Sequence, residues 1–243
     1  MTEWWLKEAV AACGLPLTLS FPRDPKQALL SLPVTLERMA HLSSEGVRDW
    51  LVRKGVHHKV TDNHRSLHGC MVAWRGVGVI FYDTEDDSDE QRFTLAHEVA
   101  HFVLEHLLPR SHALHALGEG IRPVLDGWRA PRSEELLSSV LEGVPLGLQV
   151  RLMERDPSGI RTGKVARSER RADRLALELL APAERVLEVV KGAPEEVAVD
   201  RVVARFGLPR KEAREYVRML SFRHGHSRFS IQELLGCAGG DHV

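Results

Sequence analysis

Hydrophobic positions change their period several times along the chain, and each change predicts an element. Residues 3–12 repeat as a short helix ended by Gly14 and Pro16. A loop follows through Phe21-Pro22-Arg23-Asp24-Pro25, and a second Pro-punctuated segment ends near Pro33. Ser44 to Lys54 places Val47, Trp50 and Leu51 on one side of a helix closed by Gly55. The period then shortens. Met71 to Trp74, a turn at Arg75-Gly76, and Val77 to Tyr82 predict a β-hairpin. From about Asp89 to Leu107, Phe93, Ala96, Ala100, Val103 and Leu107 recur at threes and fours, while Leu95, Val99 and Phe102 are apolar on the other side. That predicts one helix, stopped by Pro109 and greasy nearly all round, as a helix buried inside a domain must be.

Residues 108–147 show no repeat, with turns at Gly118, Gly120 and Gly127 and a short helix over Ser133 to Glu142. Leu148 to Met153 and Ile160 to Val165, joined through Asp156-Pro157-Ser158-Gly159, predict a second hairpin. A second strong helix runs from about Ser168 to Leu180 and stops at Pro182, and the remainder reads as helical with a Gly-rich tail. Asp83 to Glu90 holds six acids in eight residues. They read as a helix start, where acids favour the macrodipole and Ser88 with Gln91 forms a capping box.

The chain has 243 residues, 43% hydrophobic and 28% charged, with a formal net charge of −1. That suits a soluble fold with a real core and gives no global field to attract nucleic acid or a membrane. Cys13, Cys70 and Cys237 are too few and too scattered for a disulfide framework or a cysteine metal site. The N-terminus carries acids where a signal peptide has bases, and no run approaches the roughly 20 apolar residues of a membrane span. A reduced, cytoplasmic, membrane-free protein is expected.

The chemistry lies on the buried helix. His97-Glu98-Val99-Ala100-His101 places two imidazoles one turn apart on one face, where both can reach a zinc ion. Glu98 is placed to take a proton from water at the metal and pass it to a leaving amine. Zinc would make that water acidic and polarise the scissile carbonyl. A catalytic zinc needs a third protein ligand. Leu104 and Leu107 stand where the metzincin pattern requires Gly and His, and His106 points well away from the ligand face. The second strong helix offers Glu169 and Asp173 on one face, with Ala172 and Ala176 small enough to let two helices approach. These acids read either as a ligand backed by a group that orients a histidine, or as solvated acids paired with Arg170, Arg171 or Arg174. Glu178, further along the helix, is the fallback ligand. Tyr82, His64, His68 and His112 are each conceivable partners for a developing oxyanion.

Phe93 to Phe102, followed by Glu169-x-x-Ala172-Asp173-x-Leu175-Ala176-x-x-Leu179-Leu180-x-Pro182, resembles the ImmA/IrrE-type metallopeptidases, over roughly residues 70–106 and 165–182. The resemblance implies one zinc per chain bound by His97, His101 and Glu169, with Glu98 catalytic. The Glu-x-x-x-Asp pair is also similar to the second zinc motif of thermolysin-like enzymes, whose aspartate orients a histidine, the role this implies for Asp173. It implies an α+β, zincin-like metallopeptidase domain, a small antiparallel sheet packed on the HExxH helix. The implied function is site-specific cleavage of a helix-turn-helix repressor in stress response or mobile-element control. About 67 residues separate His101 from Glu169, more than is usual in that family. The expected organisation is an N-terminal extension over 1–43, the peptidase domain over 44–182 with an insertion at about 107–147, and a helical region over 183–243.

That last region reads as helix-turn-helix-like. Val199 to Phe206, Gly207-Leu208-Pro209, and Arg210 to Leu220 form two helices about a tight turn. Residues 210–228 carry Arg210, Lys211, Arg214, Arg218, Arg223 and Arg228 against Glu212 and Glu215. DNA binding by such a region is weighed but not favoured over packing or a protein partner. Two rival functions follow: a DNA-binding regulator whose peptidase-like domain is a sensor, and a zinc-stabilised scaffold without turnover.

Overall fold

The computed structural model describes residues 3–14, 20–56, 64–136, 144–155 and 162–225. Helix α1 (Trp4–Cys13) and a 3-10 turn (Pro25–Leu30) lead into strand β1 (Val34–Met39), helix α2 (Ser44–Arg53) and the hairpin of β2 (Leu67–Trp74) and β3 (Val77–Asp83). Helix α3 (Ser88–His101) runs on through a π-helical segment (Phe102–Leu107) into α4 (Leu108–Leu117). A 3-10 turn (Glu119–Ile121), α5 (Arg122–Leu125) and α6 (Ser133–Leu136) precede strand β4 (Gln149–Glu154). Helices α7 (Gly163–Leu180), α8 (Ala183–Val190), α9 (Glu195–Phe206) and α10 (Arg210–Gly225) follow. Among the described residues, no helix is long and apolar enough to cross a membrane.

The four strands form one sheet in the order β1-β3-β2-β4. It is mixed rather than purely antiparallel, because β1 pairs parallel to β3 while β2 pairs antiparallel to both β3 and β4. A parallel partner needs a crossover and no hairpin turn, so nothing in the local sequence marks β1. The expected second hairpin is also corrected. Its first strand is β4, which pairs with β2 instead, and Gly163 to Val165 already belong to α7. Thr162 caps that helix, its hydroxyl accepting from the Val165 amide. The turn expected at Asp156 to Gly159, and most of the helix expected over Ser133 to Glu142, lie outside the described residues.

Pro109 does not stop the central helix. In α winding its ring would clash with the carbonyl four residues back, and it has no N–H to donate. The π segment just before it widens the turn, and α4 carries on with Pro109 in its first turn. The capping box is absent too: Asp87 is the N-cap, with no side-chain cap bond. Gln91 Nε2 instead donates to the carbonyls of Thr84 and Asp86, at 3.1 and 2.6 Å, tying the acidic loop to the first turn.

The central strands β2 and β3 are buried on both faces, which is why β2 reads as an almost unbroken apolar run. Met71, Ala73, Ile80 and Tyr82 meet Leu95, Val99 and Ala100 of α3, with Leu175 and Leu179 of α7 in the same cluster. Cys70, Val72 and Phe81 point the other way, onto Val47 and Leu51 of α2. Helices α8 to α10 join the far end of the α3–α7 pair, where Phe93, Ala96, Ala176 and Leu180 cluster with Val199, Phe206 and Tyr216.

One glycine sets how closely strand and helix approach. A Cβ on Gly69 of β2 would lie 2.5 Å from Thr94 Cγ2 and 3.1 Å from Glu98 Oε1. Gly69→Ala is therefore expected to destabilise the fold by about 1–3 kcal/mol, as overpacking does. Urea denaturation followed by far-UV circular dichroism checks this, and an unchanged midpoint would mean that the seam has room to spare.

Candidate metal centre

Helix α3 is buried over the whole stretch from Phe93 to His101. Two polar rings and a carboxylate in such a place need partners. The rings find them across the seam with α7, where Ala100 and Ala172 share one apolar cluster and Ala96 and Ala176 another. All four alanines are fully buried, so the two helices touch through their smallest side chains. This close approach lets the short Glu169 side chain reach the histidines. Its two carboxylate oxygens lie 3.6 Å from His97 Nε2 and 3.6 Å from His101 Nε2. The two Nε2 atoms are 3.0 Å apart.

These spacings can be set against what a metal requires. Zinc ligands at about 2.0–2.1 Å in a tetrahedron stand roughly 3.3 Å from one another. The observed separations of 3.0, 3.6 and 3.6 Å bracket that value, so His97, His101 and Glu169 fit a zinc-sized ion. The far nitrogen of each ring faces an acid. His97 Nδ1 makes an ion-pair contact with Asp173 Oδ1 at 2.9 Å, and His101 Nδ1 bonds Glu105 Oε1 at 2.8 Å. The Glu105 bond on His101 Nδ1 directs that ring's Nε2 inward as the free electron-pair donor, while Asp173 stands beside His97 Nδ1 as a charge without hydrogen-bond geometry.

The charge balance agrees. Burial opposes a charge on His97, yet Asp173 and Glu169 beside it raise its pKa to about 10. Burial works against the charge on Glu169, but the two imidazoles it faces hold it well below the usual carboxylate range. The centre thus favours positive charge between its carboxylates. Glu98 differs. Burial raises its pKa to about 7, against the opposing pull of His97 and His101. It is 1% exposed, and neither carboxylate oxygen has a hydrogen-bond partner among the described residues. An orphaned buried carboxylate beside a metal-sized gap is a group awaiting a water or a substrate.

Glu105 was not foreseen from the sequence. It lies four residues beyond His101, inside the π segment, and besides His101 it bonds Arg151 of β4 at 2.6 Å and the Ser168 hydroxyl. Burial works against its charge, but these partners, His101 foremost, hold its pKa down to about 2. The available signal was the i,i+4 spacing to His101. Glu178 is not in the centre: it pairs with Arg174 at 3.1 Å and accepts from the Ala183 amide. His106 is buried away from it, where Nε2 accepts from the Gly76 amide at 3.0 Å. Of the four residues considered for an oxyanion, Tyr82 is core, His64 stands near Glu45, and His112 pairs with Glu8. His68 alone of these lines the cleft.

The cleft has a volume of about 640 Å³ and opens beside His97, Glu169 and Asp173. Phe93, Met153, Leu177 and Met219 give it an apolar lining, and α10 forms one wall. No described residue of the 107–147 insertion lines it. That segment packs a small core of its own, Ala113, Ile121, Val124 and Leu125, and carries a nearly buried Arg110–Asp126 pair at 2.6 Å. Among the described side chains of α10, the arginines are matched within the chain. Arg210 pairs with Asp200 and Glu196, Arg214 with Glu196, and Arg218 with Glu195.

Residues 51–119 match the family described as the IrrE N-terminal-like domain, Peptidase_M78. The match takes in His97, Glu98, His101 and Glu105 and ends before Glu169 and Asp173. The match agrees with the ImmA/IrrE resemblance over that segment. No curated protein and no solved structure matches the chain.

Replacing Glu105 or Asp173 by the amide is expected to leave the fold intact and weaken metal binding about 10–100-fold. Competition titration against a chromophoric chelator measures this, and an affinity equal to that of the unaltered protein would remove the carboxylate from any role in orienting its histidine.

Proposed function

We propose, from the premise that residues 51–119 match the IrrE N-terminal-like peptidase family, that this chain is a zinc-dependent endopeptidase. In this reading His97, His101 and Glu169 hold one zinc ion, Asp173 and Glu105 orient the two rings, and Glu98 is the catalytic base. The observation that carries it is the convergence of three ligand atoms at zinc spacing beside an unpartnered buried carboxylate.

Zinc, when bound, supplies Lewis acidity toward water and toward a substrate carbonyl. The rest is the work of the chain. Glu98 receives a proton from the attacking water and delivers it to the amide nitrogen as the C–N bond breaks. Its burial holds its pKa near 7, where taking and returning a proton cost similar amounts. Phe93, Met153, Leu177 and Met219 give an extended peptide an apolar seat next to the ligands. The ImmA/IrrE resemblance supports a regulatory substrate: a helix-turn-helix repressor in the cytoplasm, cut at one site to release stress or mobile-element genes.

The discriminating pair of variants is Glu98→Gln and Glu169→Ala. The first is expected to keep one zinc per chain while cleavage of a cognate repressor falls by about 100–10,000-fold. The second is expected to lose stoichiometric zinc, measured by atomic emission after gel filtration. Undiminished cleavage by Glu98→Gln would refute the base assignment, and full zinc retention by Glu169→Ala would remove it from the ligand set.

A further inference from the structure

A second acid-held histidine lines the same cleft without belonging to the ligand set. His68 is the extra residue of a bulge in β2: Leu67 pairs with Glu154 and Gly69 with Met153, leaving His68 no partner on β4. A bulge interrupts the strict alternation of side chains and re-aims one of them. Here it turns His68 toward the start of α3, where Nδ1 lies 2.9 Å from Asp86 Oδ2 and 3.8 Å from Glu90 Oε1.

Asp86 is itself fixed. Arg155, directly after β4, binds Asp86 through one nitrogen and Asp83 through the other, the latter at 2.8 Å. Asp83 is 2% exposed and accepts from the amides of His41 and Leu42 at 3.0 and 2.9 Å. The ring of His68 is therefore held by a chain of charge-assisted bonds anchored in the backbone between β1 and α2. Nothing in the ligand geometry of the metal centre calls for this network.

The direction of the ring matters. With Nδ1 turned to Asp86, Nε2 is the nitrogen left to face the cleft, which His68 lines together with His97, Phe93 and Glu169. The next residue along the strand, Gly69, is the one whose Cβ would meet Glu98 Oε1 at 3.1 Å. Strand β2 thus offers the cleft a fixed nitrogen one residue from its contact with the proposed base.

We propose that His68 is a catalytic residue acting in its doubly protonated form, Nδ1–H held by Asp86 and Nε2–H donating to the scissile carbonyl oxygen as negative charge develops there. The proposal rests on the peptidase reading. In the step concerned, a water oxygen forms a bond to the carbonyl carbon and Glu98 takes the water's proton. The C=O π pair moves onto oxygen, where the His68 N–H meets it. As that pair re-forms the carbonyl, the C–N bond breaks, and its electrons and the proton held by Glu98 end on the amine nitrogen. A donor fixed in advance is worth most here, because it need not reorganise when the charge appears.

The test uses the full zinc-loaded chain. A random decapeptide library is digested, the best-cut sequence is identified by mass spectrometry, and that peptide is resynthesised for kinetics. His68→Ala is expected to lower kcat by about 10²–10³, with KM, zinc content and melting temperature unchanged. His68→Gln, which restores an N–H donor, is expected to recover at least about tenfold of that loss. An unchanged kcat, or a loss that tracks zinc content or melting temperature and is not rescued by glutamine, would overturn the proposal and leave the peptidase reading standing. No cutting of any library member by the unaltered chain, matching the result for Glu98→Gln, would overturn both.

Discussion

The close approach of α3 and α7 governs everything else in this molecule. Four buried alanines, Ala96, Ala100, Ala172 and Ala176, form the seam, and the ligand geometry follows from it. A glutamate side chain is short, and Glu169 meets both His97 and His101 only because no larger residue holds the helices apart. The sheet supports the same seam from below, since Gly69 lets Thr94 and Glu98 lie against β2. The C-terminal helices close its far end through Phe206 and Tyr216. A buried centre of two imidazoles and a carboxylate would be costly without a cation. The apolar packing on all sides holds the three groups together and sustains that demand.

The carboxylates of the cleft divide by environment. Glu169 and Glu105 are held as anions by the rings they face. Glu98 has no such partner, and burial lifts it toward neutrality. Acids on neighbouring elements thus acquire opposite tendencies, the separation that lets one group bind charge and another exchange a proton. The long segment after α4 takes no described part in this division. It builds its own small core around Ile121 and Val124 and touches the centre only at a distance, through the helix it extends.

Much of the centre was legible in the sequence because its logic is local. The HExxH spacing fixes two rings on one face of any helix, and an apolar surround on every side marks that helix as buried. The alanines beside Glu169 and Asp173 signalled a helix made to be approached. What stayed hidden was non-local or depended on backbone irregularity. Strand β1 has a parallel partner and so no hairpin turn to announce it. The π segment that carries the helix through Pro109 departs from the helical period that marks the rest of α3. Glu105 sits inside that irregular turn. The bulge that aims His68 depends on the pairing of β2 with β4, strands separated by some 75 residues of chain. The basic face of α10 looked unmatched in sequence because its acidic partners lie on α9.

The central claim is that His97, His101 and Glu169 form a single zinc site across the α3–α7 seam. It is tested most directly by a crystal structure of the zinc-loaded chain, with anomalous data collected on either side of the zinc absorption edge. The account predicts one strong anomalous peak per chain, about 2.0–2.2 Å from the two Nε2 atoms and a Glu169 oxygen. A peak elsewhere, or a zinc bound by the two histidines with Glu169 turned away, would contradict it.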